Sequence, residues 1–432
     1  MTTQQLIGFF LLEEPNVQMV VAGTLLLCGM AALVGCFTFL RKRSLVGDAV
    51  SHSVLPGICL AFLLSGEKNP LILLLGALAT GLLSLILMEA LSRNRLTRPD
   101  TAISLMLSFF FGLGILLLTY IQHQGNASQA GLDKFIFGKA ASITEADVQL
   151  FLISGIIITA AVIVLLRGFY LISFDEDYAR VTGFPIKLLR LALSVLTVWT
   201  VAIGIQAVGV VLMAALLITP ALAARFWTHS IGKMLIIAAI FGMISGYTGS
   251  FVSYLAPAMP TGPWIVVVAT IIAVFSMLLA PDRGLYARFK IRSRNREKTL
   301  LENILKLFYQ IGEKSNHLQG TILEEDLLNH RAFATEELQS GLKKLTQQGL
   351  LEHSLLDYRL TNKGLAEAQR VVRLHRLWEL YLQRYLHLEP DHVHDDAEAM
   401  EHVITPEIEA QLELILGNPE TDPHNTIIPP RA

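Results

Sequence analysis

Seven long apolar runs recur over the first 281 positions, near 17–40, 50–65, 70–92, 100–121, 148–172, 231–255 and 263–281. About 20 apolar residues in a helix cross the roughly 30 Å hydrocarbon core of a bilayer, and in lipid only helices or closed barrels satisfy the backbone. A further stretch, 188–227, is too long for one crossing and is expected to make two, with a tight turn near Gly204–Gln206. The expected fold is mainly α, a polytopic transmembrane bundle of nine spans, or eight if that stretch crosses once. Composition agrees, with 53% hydrophobic against 16% charged residues, too apolar for a soluble chain.

The charges divide the chain in two. From residue 301 onward 12 Lys and Arg face 22 Asp and Glu, whereas the first 300 residues are basic. The clusters Arg41–Arg43, Arg93/Arg95/Arg98, Lys187/Arg190 and Arg283–Arg296 fall on one side of a nine-span bundle, as cytoplasmic loops require. The expected placement is a plasma or inner membrane, with the N-terminus outside and the tail in the cytoplasm. Glu13 and Glu14 precede the first run, which is too long for a signal-peptide core and is read as a span. Cys28, Cys36 and Cys59 all lie in apolar segments and read as small core residues. The expected domains are a transmembrane domain over 1–285, a basic juxtamembrane linker over 286–298, a winged-helix domain over 299–365 and a helical domain over 366–432.

One link between spans carries chemistry. Arg41 to Gly57 contains Asp48 and His52 four residues apart, so both project from one helix face. Ionisable groups at membrane depth are costly and point to function. Oxygen and nitrogen donors without thiolate suit Mn, Fe or Zn better than Cu(I). Two structural alternatives stay open: Asp48 neutralising Arg41–Arg43, and His52 as a hydrogen-bonded packing residue. Glu89, the other acid well inside an apolar run, reads as a boundary ion pair with Arg93 and Arg95.

The run Arg43 to Gly57 closely resembles the signature of the metal-permease subunits of ATP-binding-cassette importers, which take up manganese, zinc or iron. Asp100-Thr101-Ala102-Ile103, Phe135-Ile136-Phe137-Gly138, Ala207 to Leu212, Ile218 to Ala221 and Pro260-Thr261-Gly262-Pro263 extend the likeness over about residues 10–285. The resemblance implies that Asp48 and His52 coordinate metal along the translocation path. It also implies a coupling helix over 175–187, carrying Asp175, Glu176, Gly183, Phe184 and Pro185, that docks on a cytoplasmic ATPase; the charges there read equally as solvated loop. The implied partners are that ATPase, an extracytoplasmic metal-binding protein and a second permease copy. The chain has no GxxxxGK[ST] loop, so it is expected to bind no ATP and to be no enzyme.

In the tail, Leu300–Ile311, Leu323–Leu328 and Thr335–Gln348 read as helices followed by a hairpin over Leu350–Leu360, the winged-helix order. The third helix of such a unit normally enters the DNA major groove. Here it opens Thr335-Glu336-Glu337 and carries only Lys343 and Lys344 as cations, a poor surface for phosphate. DNA is therefore the weaker expectation.

Nine of the twelve histidines follow residue 300, several at helical ligand spacing. His375 and Glu379 are i,i+4, and His394, Glu398 and His402 step by four with Glu401 beside them. Val372 to Glu379, Val393 to Val403 and Asp422 to Pro430 resemble the dimerisation and metal-sensing domain of diphtheria-toxin-repressor-type regulators. The resemblance places ligands at His375, Glu379, His394, Glu398, Glu401 and His402, with an N-terminal acidic ligand at Glu302. Glu398 stands where iron sensors of that family carry cysteine, which leans toward manganese; Leu305 departs from manganese sensors with a second acid there. The sequence thus predicts the permease subunit of an ATP-driven importer of divalent metal, manganese ahead of iron and zinc, with a metal-sensing tail. The alternative is a permease fused to a metal-dependent DNA-binding repressor.

Overall fold

The computed structural model describes residues 8–41, 44–67, 69–93, 97–123, 138, 140–255, 259–330, 333–354, 357–386, 406–417, 419–424 and 426–430. They belong to two compact units, Met1–Arg288 and Phe289–Ala432.

The first unit is built of apolar helices: α1 (Pro15–Leu40), α2 (Ser44–Ser65), α3 (Pro70–Arg93), α4 (Pro99–His123), α5 (Glu145–Phe174), α7 (Ile186–Val208), α8 (Val210–Trp227), α9 (Ile231–Leu255) and α10 (Thr261–Leu279), with a short helix α6 (Glu176–Val181) joining α5 to α7. Among the described residues eight helices are long and apolar enough to cross a membrane, and α8 is a shorter apolar helix. This is a multi-pass membrane domain. The division of 188–227 falls at Gly209, not near Gly204–Gln206. Gly209 has φ 90° and ends α7, a conformation glycine adopts at little cost. Gly204 instead lies inside α7, where a Cβ would collide with the Met213 sulfur, so its missing side chain serves packing.

Helix α1 packs against α5, α8 and α9, and α2 against α3 and α4. Lipid offers little hydrophobic drive for helix association, so membrane helices rely on close approach of small residues. A Cβ at Gly35 of α1 would strike the Leu217 carbonyl of α8, and one at Gly242 or Gly246 of α9 the Cys28 or Thr24 carbonyl of α1. Gly57 of α2 and Gly76 of α3 each face the other's carbonyl. Buried hydroxyls add hydrogen bonds between helices, Thr24 to Ser250 at 3.0 Å and Ser53 to Ser84 at 2.7 Å. Ile153, Ile156, Ile163 and Val164 of α5 point outward, as an apolar wall requires.

Lying mostly in the second unit, α11 (Leu285–Lys314) takes in the whole basic stretch 286–298 as helix. Then follow β1 (Ile322–Leu323), α12 (Glu324–His330), α13 (Thr335–Gln347), β2 (Leu351–Ser354), β3 (Asp357–Leu360), α14 (Asn362–Leu386) and α15 (Pro406–Leu416). The antiparallel sheet has order β1-β3-β2, with Leu351 opposite Leu360, the winged-helix arrangement. Ile304, Leu305 and Phe308 of α11 and Leu338, Leu342 and Leu345 of α13 recur at helical spacing and build its core. Leu305 is thus a packing residue.

Further on, Arg373 of α14 donates to Glu413 Oε1 of α15 at 2.9 and 2.8 Å and to the Pro429 carbonyl at 2.6 Å. Both charged side chains are about a tenth exposed. Removing one partner of a buried pair strands the other, at a cost of about 3–5 kcal/mol. Arg373→Met is therefore expected to make α15 and the C-terminal segment sensitive to limited proteolysis under conditions where the wild-type tail resists; equal resistance would contradict this.

Candidate functional site

On α2, Asp48 and His52 lie one turn apart with His52 Nε2 3.5 Å from Asp48 Oδ1. The imidazole is 14% exposed and the carboxylate 38%, so the acid is the more open of the two. The ring meets Phe111 of α4 edge to face, centroids 4.7 Å apart. His52 Nδ1 is buried with no hydrogen-bond partner among the described residues, a state that costs about 1–3 kcal/mol for a polar group. The helix around the pair is held by Ser51 donating to the Gly47 carbonyl and by Ser53 bridging the Ala49 carbonyl and Ser84 of α3. Pro56 lies inside α2 and has no N–H for the carbonyl four residues earlier, that of His52. The arrangement offers a cation one partly exposed carboxylate with an imidazole edge one helical turn away. His52 is no hydrogen-bonded packing residue at Nδ1.

The other intramembrane acid has a partner the sequence did not suggest. Glu89 of α3 accepts from Arg190 of α7, and Arg190 also donates to Glu176 of α6. Arg41, Glu89 and Arg190 line a cavity of about 70 Å³ with Thr38, Ser194 and Thr197. Of the residues expected in a coupling helix, Asp175 is its N-cap and accepts from the Tyr178 N–H at 2.8 Å. Glu176 turns to Arg190, Phe184 packs on the core, Gly183 takes φ 82° to end the helix, and Pro185 opens α7. The outward apolar positions of this short helix are Tyr178 and Val181, 57% and 86% exposed. Arg190 stood in the sequence only as a topology marker; an arginine beginning an otherwise apolar helix was the available signal.

In the tail, His375 Nε2 is 3.0 Å from Glu379 Oε1 on α14, both side chains buried. Lys306 of α11 approaches His375 Nδ1 at 3.1 Å. Glu302, on the same helix, pairs with Lys298 at 3.5 Å. His394, Glu398, Glu401 and His402 lie outside the described residues. Among the described residues no group of three or more His, Cys, Asp or Glu could hold a metal ion. Nearby, burial reinforced by the Glu313 charge holds the Tyr309 phenol above its ordinary range, so it stays neutral in the core. Lys344 of α13 donates to Glu297 at 2.7 Å, and Arg296 pairs with Glu337.

A multi-helix membrane bundle with a paired acid and imidazole on one helix, a charged surface helix between two spans and a winged-helix tail define a transporter permease. The model of the ABC 3 transport family matches residues 13–280, and the chain belongs to that family. Residues 361–430 match the iron dependent repressor, metal binding and dimerisation domain. The chain is 42% identical over 380 residues to the manganese transport system membrane protein MntC of Bacillus subtilis, covering 87% of this chain and 86% of the relative. It is 45% identical to the zinc transport system membrane protein TroC of Treponema pallidum over 66% of this chain and 95% of that one. Among solved structures, PsaBC from Streptococcus pneumoniae in complex with Fab aligns with TM-score 0.59 and 30% identity, over 67% of this chain and all of that one.

Proposed function

We propose that this chain is the permease subunit of an ATP-driven importer of divalent transition metal, with manganese ahead of zinc and iron. The observation that carries the reading is the Asp48–His52 pair, held 3.5 Å apart within the membrane domain, with His52 Nδ1 lacking a hydrogen-bond partner among the described residues. In this mechanism an extracytoplasmic binding protein delivers the ion, Asp48 and His52 receive it as substrate between two permease copies, and a separate ATPase drives the change of access. The names of the relatives from B. subtilis and T. pallidum support manganese and zinc as cargo. The N-terminus lies outside and the tail in the cytoplasm, since the basic clusters then face inward. The test is uptake of manganese, zinc and iron by cells lacking their own importers and supplied with this chain, its ATPase and its binding protein. Saturable manganese uptake is expected, and its absence for all three metals would remove the proposal.

The surface helix α6 docks on the ATPase through Tyr178 and Val181, and Arg190 fixes its angle by tying Glu176 to Glu89 on α3. Charge-assisted hydrogen bonds of this kind are the stronger ones. Arg190→Gln is expected to lower uptake about tenfold while basal ATP hydrolysis by the complex persists; tightly coupled transport in that variant would contradict the role.

The tail senses the imported metal and restrains the transporter. Glu302, His375, Glu379, His394, Glu398, Glu401 and His402 are the residues that would hold a divalent ion there. The donor chemistry fits such an ion, with a qualification at His375 set by Lys306. A reading through DNA is disfavoured because Lys344 and Arg296 are engaged with Glu297 and Glu337 around an acidic α13. In vesicles, Glu398→Ala and His402→Ala are expected to relieve inhibition of uptake by internal manganese. Unchanged inhibition would remove the feedback role, and a metal-dependent shift of DNA by the chain would favour the repressor reading.

A further inference from the structure

The tail carries a cation of its own. In the run Ile304-Leu305-Lys306-Leu307-Phe308 a lysine interrupts an apolar face, yet Lys306 is 2% exposed. Lysines are seldom fully buried unless paired, and this one reaches His375 Nδ1 at 3.1 Å. An ammonium has donors only, so Lys306 donates and Nδ1 accepts. The proton of the neutral imidazole then sits on Nε2, 3.0 Å from Glu379 Oε1, and that N–H donates to the carboxylate. His375 and Glu379 are 4% and 2% exposed. The result is a buried chain from ammonium to imidazole to carboxylate, in which the one lone pair of the ring faces a positive charge.

A divalent ion binding at His375 needs that lone pair, because a neutral imidazole has only one to give. It would also meet repulsion from the ammonium, which burial screens poorly. We propose that Lys306 is a tethered cation that holds the His375–Glu379 pair in the place of a divalent ion, so that the ion binds there only by displacing it. The proposal rests on the reading of the tail as metal-binding and adds a threshold to it: the tail fills only when internal metal is high, which suits a brake on an importer.

The test is a manganese titration of the full-length protein in detergent, with free Mn²⁺ read by electron paramagnetic resonance. An Asp48→Ala/His52→Ala background removes the membrane pair, so that the bound ion is ion in the tail. Lys306→Met is expected to bind manganese at least tenfold more tightly than the Lys306 chain, and adding His375→Ala should abolish the gain. Lys306→Arg, which keeps the charge, should bind like the parent. Circular dichroism checks that helicity is retained; if Lys306→Met loses it, Lys306→Gln is held to the same criterion. Affinity unchanged or weaker in a folded Lys306 variant overturns the proposal alone, as does equal tightening by Lys306→Arg. If no variant binds manganese saturably, the reading of the tail as a metal domain falls, and the proposal with it.

Discussion

Uptake of manganese by the assembled transporter is expected to fall about a hundredfold or more when Asp48 or His52 is replaced by alanine. Residues that only support a metal ligand typically cost 10–100-fold when removed, and a group that touches the ion should cost at least as much. The two positions contribute differently. Asp48 supplies charge and is 38% exposed, so Asp48→Asn, which keeps the shape, should fail nearly as badly as Asp48→Ala. His52 supplies a buried nitrogen that has no hydrogen-bond partner among the described residues. Losing it gives up only the 3.5 Å approach of Nε2 to Asp48 and the edge contact with Phe111, so membrane abundance should be largely spared. The Phe111 ring only bounds the imidazole, so Phe111→Leu should lower uptake severalfold at most. The measurement is initial-rate uptake of radioactive manganese normalised to permease in the membrane. Wild-type rates in Asp48→Asn would show that the carboxylate serves only helix placement.

Gly57→Leu is expected to prevent the membrane domain from assembling. A Cβ at this position overlaps the Gly76 carbonyl and the Thr80 hydroxyl of α3, and the Gly76 backbone cannot turn aside as a flexible side chain would. Strain of that kind belongs with the exceptional class of substitutions costing about 4 kcal/mol or more. Since α2 also carries Asp48 and His52, any relaxed form would displace them. Gly155 of α5 is the control, for it has nothing within 4 Å of a built Cβ. Gly155→Ala should be neutral or stabilising, because alanine avoids the entropy that glycine loses in a helix. Abundance and thermal unfolding of the two purified variants check this; a monodisperse Gly57→Leu chain melting like wild type would contradict it.

The bundle was legible in the sequence because hydropathy over twenty residues is a one-dimensional signal. The exact break between α7 and α8 was not, since Gly204 and Gly209 look alike in a string and differ only in that one meets Met213 while the other turns the backbone. Asp48 and His52 could be found from their spacing on one helix. Arg190 with Glu89 and Glu176, and Lys306 with His375, could not. Each joins helices far apart in the chain, 101 residues between Arg190 and Glu89 and 69 between Lys306 and His375, and a lone charge in an apolar run does not name its partner. Asp175 and Glu176, which the resemblance puts in a coupling helix, serve within this chain as the N-cap of α6 and as a partner of Arg190. The expected tail ligands at His394, Glu398, Glu401 and His402 fall outside the described residues.

Transport through this domain requires that a metal ion meet Asp48 and His52. Anomalous scattering from manganese in crystals of the permease assembled with its ATPase, recorded on either side of the manganese edge, answers that directly. A peak within coordination distance of the Asp48 carboxylate and a His52 ring nitrogen is the predicted result. Strong manganese density elsewhere in the membrane domain, with both side chains turned to hydrocarbon, would contradict it.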